Sequence, residues 1–240
     1  METETHRLLG EPTPGGLLIV ADHASNRVPH DVVLGIAPER MGEHIAIDIG
    51  VAGVAERMVG GATAAYMANV SRLVCDFNRY HDAPGVVPET SDGHAIPGNH
   101  LTPEARAARI ARFFEPYHAR LADLLEFTPP ALILSLHSFT PALATSDAPR
   151  PWHVGVLYNQ DERAARIAIP LLEAEGLNVG DQQPYSGKLL NATMNRHADA
   201  RGRAYLGIEI RQDLIGDAPG QAIWAERLAR ICAAVMQALR

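Results

Sequence analysis

Short apolar runs in this chain stop at residues that can do chemistry. Leu17-Leu18-Ile19-Val20-Ala21 gives way to Asp22-His23, with Asn26 three residues further on. Ala131-Leu132-Ile133-Leu134-Ser135-Leu136 ends in His137-Ser138. Two imidazoles at the ends of two buried strands are a donor set for a divalent cation. Catalytic zinc takes three protein ligands and keeps a fourth position open. Asn26 is a candidate third ligand through its carbonyl oxygen. Asp22 and Asp48 are the charged alternatives, for that place or for a hydrogen bond that orients a ligand histidine. A plainer reading, two histidines capping strand ends, stands beside this one.

Glu209 lies in Tyr205-Leu206-Gly207-Ile208-Glu209-Ile210-Arg211, and a carboxylate inside an apolar strand is costly to bury without a partner. Two readings are open. Arg211, two residues on and on the same face, would make a structural ion pair. Alternatively, Glu209 is a general base that takes a proton from an attacking water. Ser71-Arg72-Leu73-Val74-Cys75-Asp76-Phe77-Asn78-Arg79 brackets an apolar run with two arginines, and arginine holds carboxylates through paired hydrogen bonds. Surface ion pairing is the alternative for each. Of the remaining histidines, His153 at the start of a strand is the one most worth following.

Elements must position these groups. Both apolar runs read as buried strands, because a strand covered on both faces is apolar without alternation. Apolar spacing predicts a helix over Ile45 to Val59, stopped by Gly60-Gly61. Ala64 to Val70 reads as a strand and Leu73 to Phe77 as another. Tyr80 to His100 is rich in Pro, Gly, Asp and His; a structureless stretch of about twenty residues in a compact domain is usually functional or mobile. Pro103 to Leu125 is a long helix with Thr102 as N-cap and proline in the first position. Val154 to Tyr158 is a strand, Glu162 to Glu175 a helix with a kink expected at Pro170, Ala204 to Ile210 a strand, and Gly220 to Leu239 a closing helix. Alternating strands and helices predict an α/β fold. It is a single domain over 1–240, with a mostly parallel mixed sheet flanked by helices on both faces.

Composition narrows the partners. A net charge of −7 with no basic cluster speaks against a nucleic-acid surface. Cys75 and Cys232 lie in apolar contexts without CxxC spacing and read as buried thiols in a reducing compartment. Met1 to Gly10 has no apolar leader core, and no run reaches about eighteen apolar residues, so a soluble, cytoplasmic protein off the membrane is expected. Neither a GxGxxG nor a P-loop sequence is present, so no organic cofactor is implied.

Six blocks carry a resemblance. They are Ala21-Asp22-His23-Ala24-Ser25-Asn26-Arg27-Val28-Pro29, Ile47-Asp48-Ile49-Gly50, the Ser71 to Arg79 stretch, Leu136-His137-Ser138-Phe139-Thr140-Pro141, Pro184-Tyr185-Ser186-Gly187 and Ile208-Glu209-Ile210-Arg211. In this order, over nearly the whole chain, they resemble the N-formylglutamate amidohydrolases. That family is similar in fold to the zinc carboxypeptidases (phosphorylase/hydrolase-like), which use a His-x-x-Glu pair, an arginine, an Asn-Arg pair, a later histidine and a late glutamate. Here the series is His23, Asn26, Arg72, Asn78-Arg79, His137 and Glu209, with Asn26 where the peptidases have glutamate. The resemblance implies zinc or another divalent metal on His23, Asn26 and His137, with Glu209 as base and Arg72 beside the oxyanion. Asn78 and Arg79 would hold the substrate α-carboxylate, with Tyr185 and Arg211 near the side chain. The implied substrate is a small N-acyl amino acid, N-formyl-L-glutamate before others, cleaved to formate and glutamate as in histidine degradation. A carboxypeptidase-like peptidase, a deacylase of another N-acyl amino acid and a non-catalytic binding protein are the alternatives. Oligomeric state stays open.

Overall fold

The computed structural model describes residues 3–240; Met1 and Glu2, the start of the lead-in, lie outside them. In chain order its strands are β1 (His6–Leu9), β2 (Leu17–Ala21), β3 (Thr63–Ala68), β4 (Thr90–Ser91), β5 (His94–Ala95), β6 (Leu132–Phe139), β7 (Val154–Leu157), β8 (Val179–Asp181) and β9 (Tyr205–Arg211). The helices are α1 (Val51–Met58), α2 (Pro103–Phe127), α3 (Arg163–Ala174), α4 (Ala192–His197) and α5 (Ala218–Ala238). β4 and β5 form a small hairpin, and the other seven strands make one sheet in the order β1-β3-β2-β6-β9-β7-β8. Its centre, β3-β2-β6-β9, is parallel; β1 joins β3 and β7 joins β9 antiparallel. This is the mixed, mostly parallel α/β sheet that the alternation of elements predicts.

Alternation within the strands divides the core into two layers. Leu17, Ile19, Ala21, Leu132, Leu134, Leu136, Leu206, Ile208 and Ile210 pack with α1, α3 and α5 on one face. Leu18, Val20, Ile133 and Tyr205 pack on the other with Phe113, Phe114, Tyr117 and Leu121 of α2. Each such aliphatic side chain contributes about 1.5–3 kcal/mol on full burial. The period of two then places Ser135 and His137 on the α2 side of β6, and Gly207 and Glu209 on the α2 side of β9. His137 stands opposite Glu209 in the parallel register. From β2 the chain passes through α1 to β3 on one side and later reaches β6 on the other. The carboxyl ends of β2 and β6 therefore flank a topological switch point, where open α/β sheets bind ligands.

Several sequence expectations change. The helix expected from Ile45 begins at Val51, because Gly50 adopts φ +83° at its N-cap and the preceding residues form turns. A Cβ on Gly50 would lie 2.1 Å from the Ile215 carbonyl oxygen, so only glycine lets this turn press against the chain after β9. Leu73 to Phe77 is not a strand: its apolar side chains are buried, but the backbone turns there. β1, β8 and α4 come from stretches that carried no strand or helix prediction, and the Tyr80 to His100 segment contains the β4–β5 hairpin. α3 runs through Pro170 as one helix. Both cysteines are buried and free. Among the described residues no helix is long and apolar enough to cross a membrane.

Candidate active site

His23 is held in the first turn after β2, where its carbonyl accepts from Asp48 N at 3.0 Å. That bond pins the Gly50 turn beneath it and carries the Asp48 carboxylate between two imidazoles. Asp48 Oδ2 lies 2.9 Å from His137 Nδ1 and 3.3 Å from His23 Nδ1. The far nitrogen of each ring also faces a carboxylate. His23 Nε2 is 2.7 Å from Asp76 Oδ1, whereas His137 Nε2 lies 3.7 Å from Asp22 Oδ2, beyond hydrogen-bond reach, and neither of these last two atoms has a hydrogen-bond partner among the described residues. Tyr117 donates to the other oxygen of the fully buried Asp22 at 2.8 Å.

Arg72 closes the cluster, with Nη1 3.2 Å from Asp48 Oδ1 and Nη2 3.0 Å from Asp76 Oδ2. Its turn is fixed by Ser71, which donates to Ala46 O at 2.7 Å, and by buried Asn99, whose amide bridges Leu73 O and Pro88 O at 2.8 and 2.7 Å. Buried charges of both signs then set one another's ionisation. Burial works against the Asp48 and Asp76 carboxylates, but His23 and His137 hold Asp48, and His23 and Arg72 hold Asp76, well below the usual carboxylate range. Burial also opposes protonated imidazole, yet Asp48 lifts His137 to about 9, and Asp76 with Asp48 raises His23. For Glu209 burial dominates: with Asp48 nearby it pushes the carboxyl up to about 7, against the pull of His137, His23 and Arg72.

Glu209 has no pair with Arg211, and its buried Oε2 has no hydrogen-bond partner among the described residues. It lines a cavity of about 250 Å³ together with His23, Asp48, Arg72, Asn78, Arg79, His137 and Tyr185. Asn78 is fixed there by Thr193 N, which donates to its Oδ1 at 3.1 Å, so the short α4 serves to hold this loop. The Arg79 side chain is 37% exposed, and its Nε approaches the Asp76 carboxylate at 3.6 Å. Tyr185 carries the Arg150 guanidinium over its ring at 4.8 Å.

Two expected residues are elsewhere. Asn26 is exposed and its Nδ2 donates to Met41 O at 2.8 Å. A three-residue spacing returns to the same point on a helix, but the chain after His23 has no helical turn. Asp48 occupies the place considered for it. Arg211 donates through Nε and Nη2 to Asp213 at 2.8 and 3.1 Å, because the 3₁₀ turn Gln212–Leu214 folds that carboxylate back onto it. It does not line the cavity. His153 accepts from Asn178 N at 2.9 Å and so ties the chain before β7 to that before β8. Asp76 carried no expected role; that it is the acidic residue inside the apolar run between Arg72 and Arg79 is the signal the sequence offers.

The residues fit a divalent cation. His23, Asp48 and His137 present donor atoms within 4.8 Å of one another. Ligand atoms at 2.0–2.1 Å around a tetrahedral zinc are ~3.3 Å apart, and the two nitrogen–oxygen edges here measure 2.9 and 3.3 Å. The Asp76 carboxylate on the far nitrogen of His23 is the kind of partner that a ligand histidine needs. Asn26→Ala is expected to leave zinc retention unchanged, whereas Asp48→Asn loses it; bound zinc by atomic absorption after gel filtration decides between the two residues.

Comparison with known proteins gives this arrangement its class, a hydrolase acting on amide bonds. Residues 15–216 match the sequence model of the N-formylglutamate amidohydrolases, and the chain belongs to that family. The crystal structure of a gene product from Agrobacterium tumefaciens is 27% identical, with TM-score 0.91 over 99% of this chain and 96% of that one. N-formylglutamate amidohydrolase from Ralstonia eutropha JMP134 shares the fold at 21% identity, with TM-score 0.75 over 99% of both chains. No curated protein matches.

Proposed function

We propose that this protein is a metal-dependent deformylase that releases formate from the N-formyl amide of an amino acid, with N-formyl-L-glutamate as the reference substrate. One observation carries the reading. Two histidines turn Nδ1 to the same oxygen of Asp48, while an unpaired buried glutamate faces the same cavity. Zinc or another divalent ion on His23, Asp48 and His137 would polarise the acyl oxygen and acidify a water.

The chain's own groups do the rest. Glu209 Oε2, free of any partner, takes the proton of the attacking water and passes it to the leaving nitrogen. Arg72, held by two carboxylates at the cavity wall, keeps a fixed positive charge where the oxyanion develops. Asp76 holds the His23 imidazole in orientation. Arg79 and Asn78 receive the α-carboxylate. Arg79→Ala is accordingly expected to raise KM about 10- to 100-fold with a smaller change in kcat, and Arg79→Lys to recover part of it. An unchanged KM in the alanine variant removes the clamp from the account. The reading as a whole is tested by formate release from N-formyl amino acids, before and after chelation and with zinc restored. Turnover that survives complete chelation contradicts it.

A further inference from the structure

Phe139 and Tyr185 line the cavity, and behind them lies a cation that the mechanism does not use. The Arg150 guanidinium carbon is 4.8 Å from the centre of the Tyr185 ring and 5.6 Å from that of Phe139. Its Nη1 donates to the carbonyl of Thr140, another lining residue, at 2.8 Å. Arg150 is half-buried, and among the described residues no carboxylate pairs with it. A guanidinium keeps its charge in such a place. Set against two rings and partly out of water, that charge lacks a counter-ion.

A substrate with two carboxylates needs a second cation. Arg79 receives the α-carboxylate, and Arg72 is engaged by Asp48 and Asp76. Arg211 is held by Asp213 and does not line the cavity. The wall around Asp92 supplies none either. The Asp92 carboxylate takes His44 Nε2 at 2.9 Å, Ala144 N at 2.9 Å, Thr145 N at 3.1 Å and Thr145 Oγ1 at 2.7 Å, so these donors are committed. Burial opposes the Asp92 charge, but the donors hold its carboxyl down to about 2. An acidic side chain is thereby directed to the wall of Phe139, Thr140 and Tyr185. Burial raises the Tyr185 phenol against the pull of Arg150, so its hydroxyl is protonated at neutral pH. It can donate to a carboxylate while Arg150 supplies the charge behind it.

We propose that Arg150 is the specificity-determining cation of this site: acting across the Tyr185 ring, it selects N-formyl amino acids whose side chain carries a carboxylate. This rests on the deformylase reading and deepens it by naming the residue that sets the substrate class. N-formyl-L-glutamate and N-formyl-L-glutamine have nearly the same shape and differ in charge. With zinc-loaded protein at pH 7.5, kcat/KM is expected to be at least about tenfold higher for the glutamate compound. Arg150→Gln is expected to lower that ratio about tenfold, chiefly by raising KM for the glutamate compound, with bound zinc at the wild-type level. If the glutamine variant does not fold, Arg150→Met, which keeps an apolar contact with the rings, replaces it with the same expectation. Equal or faster hydrolysis of N-formyl-L-glutamine by the wild type overturns the proposal and leaves the deformylase reading intact. So does a wild-type ratio in the folded, zinc-loaded variant. Formate from neither compound overturns both.

Discussion

Glu209→Gln is expected to lower kcat about 10²–10⁴-fold while bound zinc stays at the wild-type level. Glutamine keeps the shape of the side chain but cannot accept the proton of the attacking water. Loss of an ion pair does not confound the result, because Arg211 is bonded to Asp213 and Glu209 Oε2 has no partner. Stability should move the other way. Burial raises the folded pKa of Glu209 to about 7 from its ordinary 4.5. Its ionisation therefore opposes folding, increasingly so from pH 4.5 up to about 7 and fully above that. At pH 8 the metal-free glutamine variant is expected to melt at or above the wild-type temperature. Near-normal kcat in the folded, zinc-loaded variant would remove Glu209 as the base.

His137→Ala is the second large effect, expected as a loss of zinc affinity of about 10³-fold or more without unfolding. Removing an outer partner of a ligand typically costs 10- to 100-fold, which sets the smaller expectation for Asp76→Asn, whose carboxylate lies 2.7 Å from His23 Nε2. Affinity should also depend on pH in a defined direction. Asp48 lifts His137 to about 9, so below that pH zinc must displace a proton. Apparent affinity therefore rises with pH and levels off above about 9. Competition with a chromogenic chelator at several pH values reads both effects. Full zinc binding by folded His137→Ala would take His137 out of the ligand set.

What was legible in the sequence follows from how each group is held. His23, His137 and Glu209 could be singled out because parallel strands buried on both faces read as unbroken apolar runs, and a polar residue inside or after one stands out. The pairing of His137 with Glu209 is a register between strands far apart in sequence, which neither run contains. Asp48 and Asp76 were harder for a different reason. Ile45 and the Leu73 to Phe77 run are buried in irregular turns that lie on the α2 layer, so their apolar spacing imitates a helix and a strand. Asn26 misled because a spacing of three was given helical meaning in non-helical chain. Asp92 gathers donors from two other loops, and its own stretch gives no sign of them.

We propose that one metal ion, held by His23, Asp48 and His137, makes this cavity hydrolytic. Titration of chelated, desalted protein with zinc, with formate release from an N-formyl amino acid followed at each addition, tests it most directly. No release is expected before zinc, then a rise to full activity at one equivalent per chain, with no such rise in Asp48→Asn. Full activity in the zinc-free protein, or a wild-type titration in Asp48→Asn, would contradict it.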